Sequence, residues 1–411
     1  MGNIAPSISV MSKEKILLLT LSVIQFSHIT DFMILMPLGP QLMEAFQILP
    51  SQFALLVSTY TFSAGTSGFV GAFFIDRFDR RKAILTMATG FALGTLACGF
   101  AQTYYWLLLT RSVTGLFGGV MGALILSIIG DAIPNERRAT AMGMVMAAFS
   151  VASVIGVPAG LFLADLSDWH MPFIVLGVLA FLTLIPMAVY IPSMTGHISS
   201  HEDKPSPLQI IRNVTSNKNQ LLALAFGSVI MFSHFTIVPF ISPYLTTNVG
   251  FSDSQIKYVY LVGGALTVFT SPFLGRLADK YGRSTIFTFT VLAASVPIFF
   301  LTQIGETPIE LVLVITALFF VFGAGRMVPS TAMVTSSVKP QNRGSFMSFN
   351  ASFRQLTNGV AAFFAGLIIT IGEDGLYHNY DLVGYFAIAM GIVSIFISRK
   401  IKIADDESFT N

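Results

Sequence analysis

Long apolar runs separated by short clusters of charge dominate the pattern along the chain. Reading the runs between clusters predicts helices over about 15–38, 52–74, 83–102, 105–130, 139–164, 171–191, 219–245, 254–276, 284–303, 309–336, 345–370 and 381–398. Each run is near the length of about 20 residues that a helix needs to cross a bilayer. The runs are continuous and do not alternate every second residue, which excludes an outer-membrane barrel. The pattern predicts an all-α membrane protein with twelve transmembrane helices. One long polar stretch, 192–218, is rich in Ser, Pro, His and charge and divides the helices six and six. The expected organisation is an N-terminal six-helix bundle (1–191), a cytoplasmic linker (192–218), a C-terminal six-helix bundle (219–398) and a cytoplasmic tail (399–411).

Composition and charge sharpen this picture. Hydrophobic residues make up 54% of the chain and charged residues 11%, against about 25% charged in a soluble domain. Mean hydropathy is +0.73. Nineteen of the 23 Lys and Arg fall on one side of the predicted membrane, so the positive-inside rule places both termini and the linker in the cytoplasm. A net charge of +2 without a basic stripe argues against a nucleic-acid partner. The single cysteine, Cys98, allows no intrachain disulfide and no multi-cysteine metal cage. No cleaved signal peptide is read at the N-terminus. There is no G-x-x-x-x-G-K-[ST] loop, G-x-S-x-G elbow or H-E-x-x-H pair. The expectation is therefore no enzyme and no cofactor, with any pumping driven by an ion gradient because ATP cannot be used directly.

The halves repeat each other. Phe26–Thr30 (FSHIT) returns as Phe232–Thr236 (FSHFT), an offset of 206 between His28 and His234. Pro40 matches Pro243, Ser51-Gln52 matches Ser254-Gln255, Asp76-Arg77 matches Asp279-Lys280, and Pro134-x-x-Arg137 matches Pro340-x-x-Arg343. Two repeated halves with a site where they meet is the design of alternating-access transporters.

Over essentially its whole length the sequence resembles the major facilitator superfamily, and within it the twelve-helix arabinose-efflux-like and drug:proton antiporter branch. The loop motif G-x-x-x-D-R-x-G-R-R reads Gly275-Arg-Leu-Ala-Asp279-Lys-Tyr-Gly282-Arg283 in the second half. In the first half it reads Ala72-Phe-Phe-Ile-Asp76-Arg77-Phe-Asp79-Arg80-Arg81, with Ala72 and Asp79 where the family usually has glycines. The motif L-x-x-x-R-x-x-x-G appears as Leu107, Arg111 and Gly115. Gly156-Val-Pro158-Ala-Gly160 resembles the antiporter motif of helix 5, with Ala152 replacing a glycine and His170 a common arginine. The resemblance implies two pseudo-symmetric six-helix bundles in the cytoplasmic (inner) membrane, a monomer, and a helix 5–helix 8 seal at Gly156, Pro158 and Gly160. It also implies that an acid in helix 1 and the helix 4 arginine serve proton coupling.

Only Asp31, Arg111, Arg326 and Arg354 lie well inside the predicted spans. A charge near the bilayer centre costs at least about 2.5–3.5 kcal/mol, so each should face water or a partner. Asp31 is the sole acid of the set and the candidate proton carrier or cation ligand, with Arg111 as its electrostatic modulator; the alternative is a static pair locking two helices. Gln25 and His28 share a face of helix 1 with Asp31, and with His234 and Arg326 they are candidate cavity residues. His28, Asp31 and His234 could bind a transition metal, but their spacing is not that of a ligand cluster, so no metal site is assigned. Arg326 could hold an anionic substrate; snorkelling to an interface is the alternative. The loop residues Asp76, Arg77, Arg80, Arg81, Asp279 and Arg283, with Asp131, form a candidate cytoplasmic gate, in which Arg80 or Arg81 pairs with Asp131 and the carboxylates cap helices of the other half. The expected function is proton-coupled export of a small organic molecule such as a drug or sugar, with substrate, protons and lipid as partners. The alternatives are an uptake carrier or uniporter, a transition-metal transporter, and a non-transporting receptor of the same fold.

Overall fold

The computed structural model describes residues 8–195, 207–339 and 343–404. The first half holds α1 (Ile8–Ile34), α2 (Gly39–Phe46), α3 (Pro50–Phe74), α4 (Arg80–Cys98), α5 (Tyr104–Ala132), α6 (Asn135–Met146), α7 (Ala148–Val151), α8 (Val157–Leu166) and α9 (His170–Tyr190). The second holds α10 (Pro207–Ser216), α11 (Lys218–Phe235), α12 (Ile241–Asn248), α13 (Asp253–Tyr281), α14 (Arg283–Leu301), α15 (Ile309–Ser336), α16 (Arg343–Ile368) and α17 (Tyr380–Ser398). A two-stranded antiparallel hairpin, β1 (Thr370–Ile371) with β2 (Tyr377–His378), links α16 to α17.

Among the described residues, nine helical runs are long and apolar enough to cross a membrane. The helices α3, α4 and α16 coincide with expected spans but are more polar. The first turn of α4 is Arg80-Arg81-Lys82, α3 carries Ser58, Thr61 and Ser63, and α16 carries Asn350, Arg354 and Asn358. Polar residues in a bilayer concentrate where protein, and not lipid, faces them. This fits the packing: Ser58 Oγ donates to the Gly359 carbonyl at 2.8 Å, Gly65 lies against Leu356 and Gly68 against Ser352. The α3–α16 seam therefore joins the halves through small residues that let backbones approach closely.

Several expected spans are interrupted, and proline supplies the reason. The first, expected to reach 38, ends at Ile34, and a turn containing Pro37 leads to α2, which has Pro40 in its first turn. The seventh, expected over 219–245, breaks after Phe235 into a 3₁₀ turn, Val238–Phe240, around Pro239. A proline nitrogen cannot donate to the preceding turn, so the helix restarts there. Between α7 and α8 a π turn, Ala152–Gly156, precedes Pro158, where the missing donor loosens the ladder in the same way.

The two loop motifs also differ in backbone. Gly282 adopts φ +95° between α13 and α14, a conformation open chiefly to glycine. Its counterpart Asp79 has φ −56° and caps α4, accepting from the Arg81 N–H at 3.1 Å. It also accepts from Ser193 Oγ at 2.7 Å and Met194 N–H at 2.8 Å, tying the segment after α9 back to the first half. Burial works to raise this carboxyl, but these hydrogen bonds and Lys82 outweigh it and hold Asp79 below the usual carboxylate range.

The apolar core is divided unequally along the molecule. At the end bearing the α1–α2 and α11–α12 turns, one continuous cluster draws on both halves, with Leu38, Phe53 and Phe173 from the first and Phe240, Tyr244 and Tyr380 from the second. At the end bearing the chain termini each half has its own cluster, one around Leu21, Phe91 and Ile125, the other around Phe226, Phe287 and Phe346. Polar contacts reinforce the shared end: Lys257 Nζ pairs with Asp165 at 2.8 Å, and Gln41 Nε2 donates to Asp253 at 3.0 Å. The halves thus share one apolar core at the first end and keep separate cores at the other, toward which the α3–α16 seam continues with Phe69 against Phe349.

Candidate functional site

In the first half, α1 presents Asp31 to α5. Arg111 Nη1 donates to Asp31 Oδ2 at 2.8 Å, and both side chains are fully buried. The guanidinium lies over the Tyr60 ring, 4.3 Å from its centroid, with Phe173 at 5.8 Å. Ion pairing and two aromatic faces compensate a charge that hydrocarbon alone would penalise heavily. Thr95 lies beside the carboxylate. One turn before Asp31, His28 packs edge-on against Phe91 and fills the space at Gly118. Neither His28 ring nitrogen nor Gln25 Oε1 has a hydrogen-bond partner among the described residues.

The second half repeats the geometry with different chemistry. His234 lies against Gly323 of α15, as His28 lies against Gly118 of α5. It stacks on Phe319 with 10° between the rings. Arg326 donates to Ser233 Oγ through Nη1 and to His234 Nδ1 through Nη2, both at 3.2 Å. A guanidinium only donates, so Nδ1 is the acceptor and the neutral ring carries its proton on Nε2. Ser233 in turn donates to the Ala387 carbonyl at 2.8 Å. Arg354 donates to Met231 Sδ at 3.4 Å.

The expected pair Asp31 and Arg111 is joined, and of the expected cavity residues Gln25, His28, His234 and Arg326, His234 and Arg326 are joined by a hydrogen bond, a pairing the sequence does not predict. His28, Asp31 and His234 are not brought together, since no group of three His, Cys, Asp or Glu suited to a metal ion exists among the described residues. Arg354 stands eleven residues into α16. Of the loop residues, Arg80 Nε meets Asp131 Oδ2 at 3.2 Å, Arg81 donates to the Ala188 carbonyl, and Arg77 covers the Phe74 ring. Arg283 donates to Ser336 Oγ at 2.7 Å, and Asp279 is exposed. The Asp76 side chain lies outside the described residues. All of these contacts stay within one half. In helix 5, Gly156 and Gly160 pack on Thr30 and Ile34 of α1, and the approach to α13 is made by Ser153 and Val154 against Gly264.

Reading ionisable residues alone passes over Tyr60, Thr95, Ser233 and Met231, which complete the two clusters. The signal that finds Tyr60 and Ser233 is adjacency: Ser233 sits inside the repeated Phe-Ser-His element, and Tyr60 lies on the serine- and threonine-rich α3.

The Major Facilitator Superfamily sequence pattern matches residues 21–241 and again 223–407. The chain belongs to this superfamily, and it is a multi-pass membrane transporter and not an enzyme. It is 25% identical over 383 residues to the MFS-type transporter YceJ of Bacillus subtilis (strain 168), covering 89% of this chain and 90% of that one. It is 26% identical over 348 residues to multidrug resistance protein MdtG of Salmonella heidelberg (strain SL476), covering 82% and 80%. Its fold matches a bacterial homolog to the human lysosomal transporter Spinster, in an inward-facing and unoccupied conformation. That match has TM-score 0.76 and 18% identity, over 95% of this chain and 98% of that one.

Proposed function

We propose that the protein is a proton-coupled exporter of small organic molecules in the cytoplasmic membrane. In this reading twelve helices span the bilayer as two six-helix bundles, 1–191 and 219–398, with both termini, the linker 192–218 and the tail 399–411 in the cytoplasm. The shared core then seals the external side, the separate cores flank the cytoplasmic opening, and the molecule is open inward. Relationship to proteins named for multidrug resistance supports the direction.

The observation that carries the coupling is Asp31, the one acid deep in a span, paired with Arg111. A carboxylate that gains a proton loses its charge-assisted bond to Arg111, which frees α1 from α5. A proton therefore changes the energy of one arrangement of the bundles more than the other, as any coupling ion must. Closing the cytoplasmic side would bring the loops bearing Asp76 and Asp279 against the opposite half, while Arg80 and Asp131 hold their own loop in shape.

The test is transport in proteoliposomes with an imposed pH gradient across a panel of drugs and sugars. Asp31→Asn should still bind substrate and lose the gradient-driven flux. Unchanged gradient-driven flux in Asp31→Asn overturns the reading.

A further inference from the structure

Buried polar atoms without a partner gather around one helix, α1. Among the described residues, Gln25 Oε1, both ring nitrogens of His28 and Asp31 Oδ1 have no hydrogen-bond partner. Neither do the Tyr60 hydroxyl of α3 or Nε and Nη2 of Arg111 on α5. Buried polar atoms are nearly always satisfied, by protein or by ordered water. Asp31 gives only Oδ2 to Arg111, which leaves Oδ1 as the oxygen that takes or loses a proton. His28 Nε2 and the Tyr60 hydroxyl lie 2.8 and 3.0 Å from the point that a Gly118 Cβ would occupy, within reach of one bridging water.

These groups form a series. Each step from Asp31 to His28 to Gln25 is three residues, about 4.5 Å along the helix axis. The series leads toward the N-terminal end of α1, from a carboxylate that is 0% exposed to a histidine that is half-buried. The second half does not repeat it. At the offset of 206, Met231 stands for Gln25 and Ile237 for Asp31. His234 is kept, but its Nδ1 accepts from Arg326 and so cannot take up a proton, whereas neither nitrogen of His28 is held.

We infer that His28 relays the proton between Asp31 and the cytoplasmic opening, through water shared by the carboxyl, the Tyr60 hydroxyl and the ring, with Gln25 orienting the exit side. The inference rests on the reading of Asp31 as the proton carrier of an inward-open exporter. The protonated Oδ1 gives its proton to water, and the carboxylate regains its charge-assisted bond to Arg111. That water protonates one ring nitrogen. The other ring nitrogen releases its own proton to water on the cytoplasmic side, where Gln25 Oε1 accepts a hydrogen bond. One proton has left Asp31 and one has reached the cytoplasm; the ring is neutral again, in its other tautomer, and turning it over resets the relay. The groups around the ring are Asp31 of α1, Tyr60 of α3, Phe91 of α4 and Arg111 of α5. Repulsion from the Arg111 guanidinium keeps an imidazolium short-lived, so His28 passes a proton on and does not store it.

The test is a pH jump on the full-length protein in nanodiscs, followed by the infrared absorption of the protonated carboxyl, with the Asp31 band assigned by its loss in Asp31→Asn. No substrate is needed. After a jump to higher pH the band should decay about a hundredfold more slowly in His28→Ala than in the wild type and reach the same end level. Free imidazole in the buffer should restore the rate in His28→Ala and leave the wild type unchanged, which a packing role for His28 would not produce. His28→Gln keeps hydrogen bonding but cannot take up a proton; it should also be slow, and it decides the matter if the alanine variant does not fold. Decay at the wild-type rate in His28→Gln, or slow decay in His28→Ala with no response to imidazole, overturns the relay and leaves Asp31 as the carrier. A wild type without the Asp31 band overturns the reading of Asp31 itself, and the relay with it.

Discussion

In the first half Arg111 donates to a carboxylate at 2.8 Å, whereas in the second Arg326 meets a serine and a histidine at 3.2 Å. The frames are alike: a histidine of the repeated Phe-Ser-His element lies against a glycine of the fourth helix of each half, Gly118 or Gly323. What differs is the balance of charge. The first half pairs its buried arginine with a carboxylate, while in the second, among the described residues, the buried arginine meets only neutral groups. One repeated framework thus carries two unequal arrangements of charge, and each half can be perturbed alone.

The largest expected effect is on transport. Asp31→Asn should abolish flux driven by a pH gradient, read with a pH-sensitive dye inside proteoliposomes, and no charge-neutralising substitution in the second half should uncouple in this way. If Arg326→Gln also abolished coupling while binding persisted, the division of tasks would fail.

Next comes stability. Arg111→Met leaves a buried carboxylate without its cation and should cost about 3–5 kcal/mol, read by the thermal transition in detergent; Asp31→Asn in the same chain should restore part of the loss. Arg326→Met strands no carboxylate and removes hydrogen bonds to Ser233 and His234, so it should cost only about 1 kcal/mol. Equal losses in the two variants would show that the second half contains an anion equivalent to Asp31.

A smaller contrast is steric. A side chain at Gly119 of α5 would strike the Ala64 carbonyl, which belongs to backbone, whereas at Gly325 of α15 it would meet the end of the Leu274 side chain. Gly119→Ala should therefore cost about 1–3 kcal/mol, and Gly325→Ala less, because Leu274 can change rotamer.

The smallest effect concerns Asp79, which ties Ser193 and Met194 to the first half and has no counterpart at Gly282. Its carboxyl is depressed on folding, so its contribution is complete above the ordinary carboxylate value and is lost as pH falls through the lower folded one. A spin label at Thr195 should gain mobility over that acid range in the wild type, and at every pH in Asp79→Ala.

Much of this was legible in the residues. Asp31, Arg111 and Arg326 stand out because a charge inside an apolar run is expensive and must be partnered, and the repeat offset located His234. The proline breaks at Pro37 and Pro239 were hidden by apolar neighbours that continue the hydrophobic run through the turn. Tyr60 and Ser233 stayed hidden for a different reason: a neutral polar side chain costs little in a span, and its role depends on the helix facing it. The same holds for Gly156 and Gly160, whose small size suits any close partner, and the fold chose α1.

Coupling through Asp31 would also have an electrical consequence set by the charge of the cargo. A carrier that sends a monovalent anion outward while admitting one proton moves two positive charges inward per cycle, whatever charges the protein itself bears. Each charge crossing a potential of 100 mV is worth about 2.3 kcal/mol, so two would supply on the order of 5 kcal/mol. Such a carrier would draw on the membrane voltage as well as the proton gradient, and would keep running outward at a pH where the inside and outside are equal.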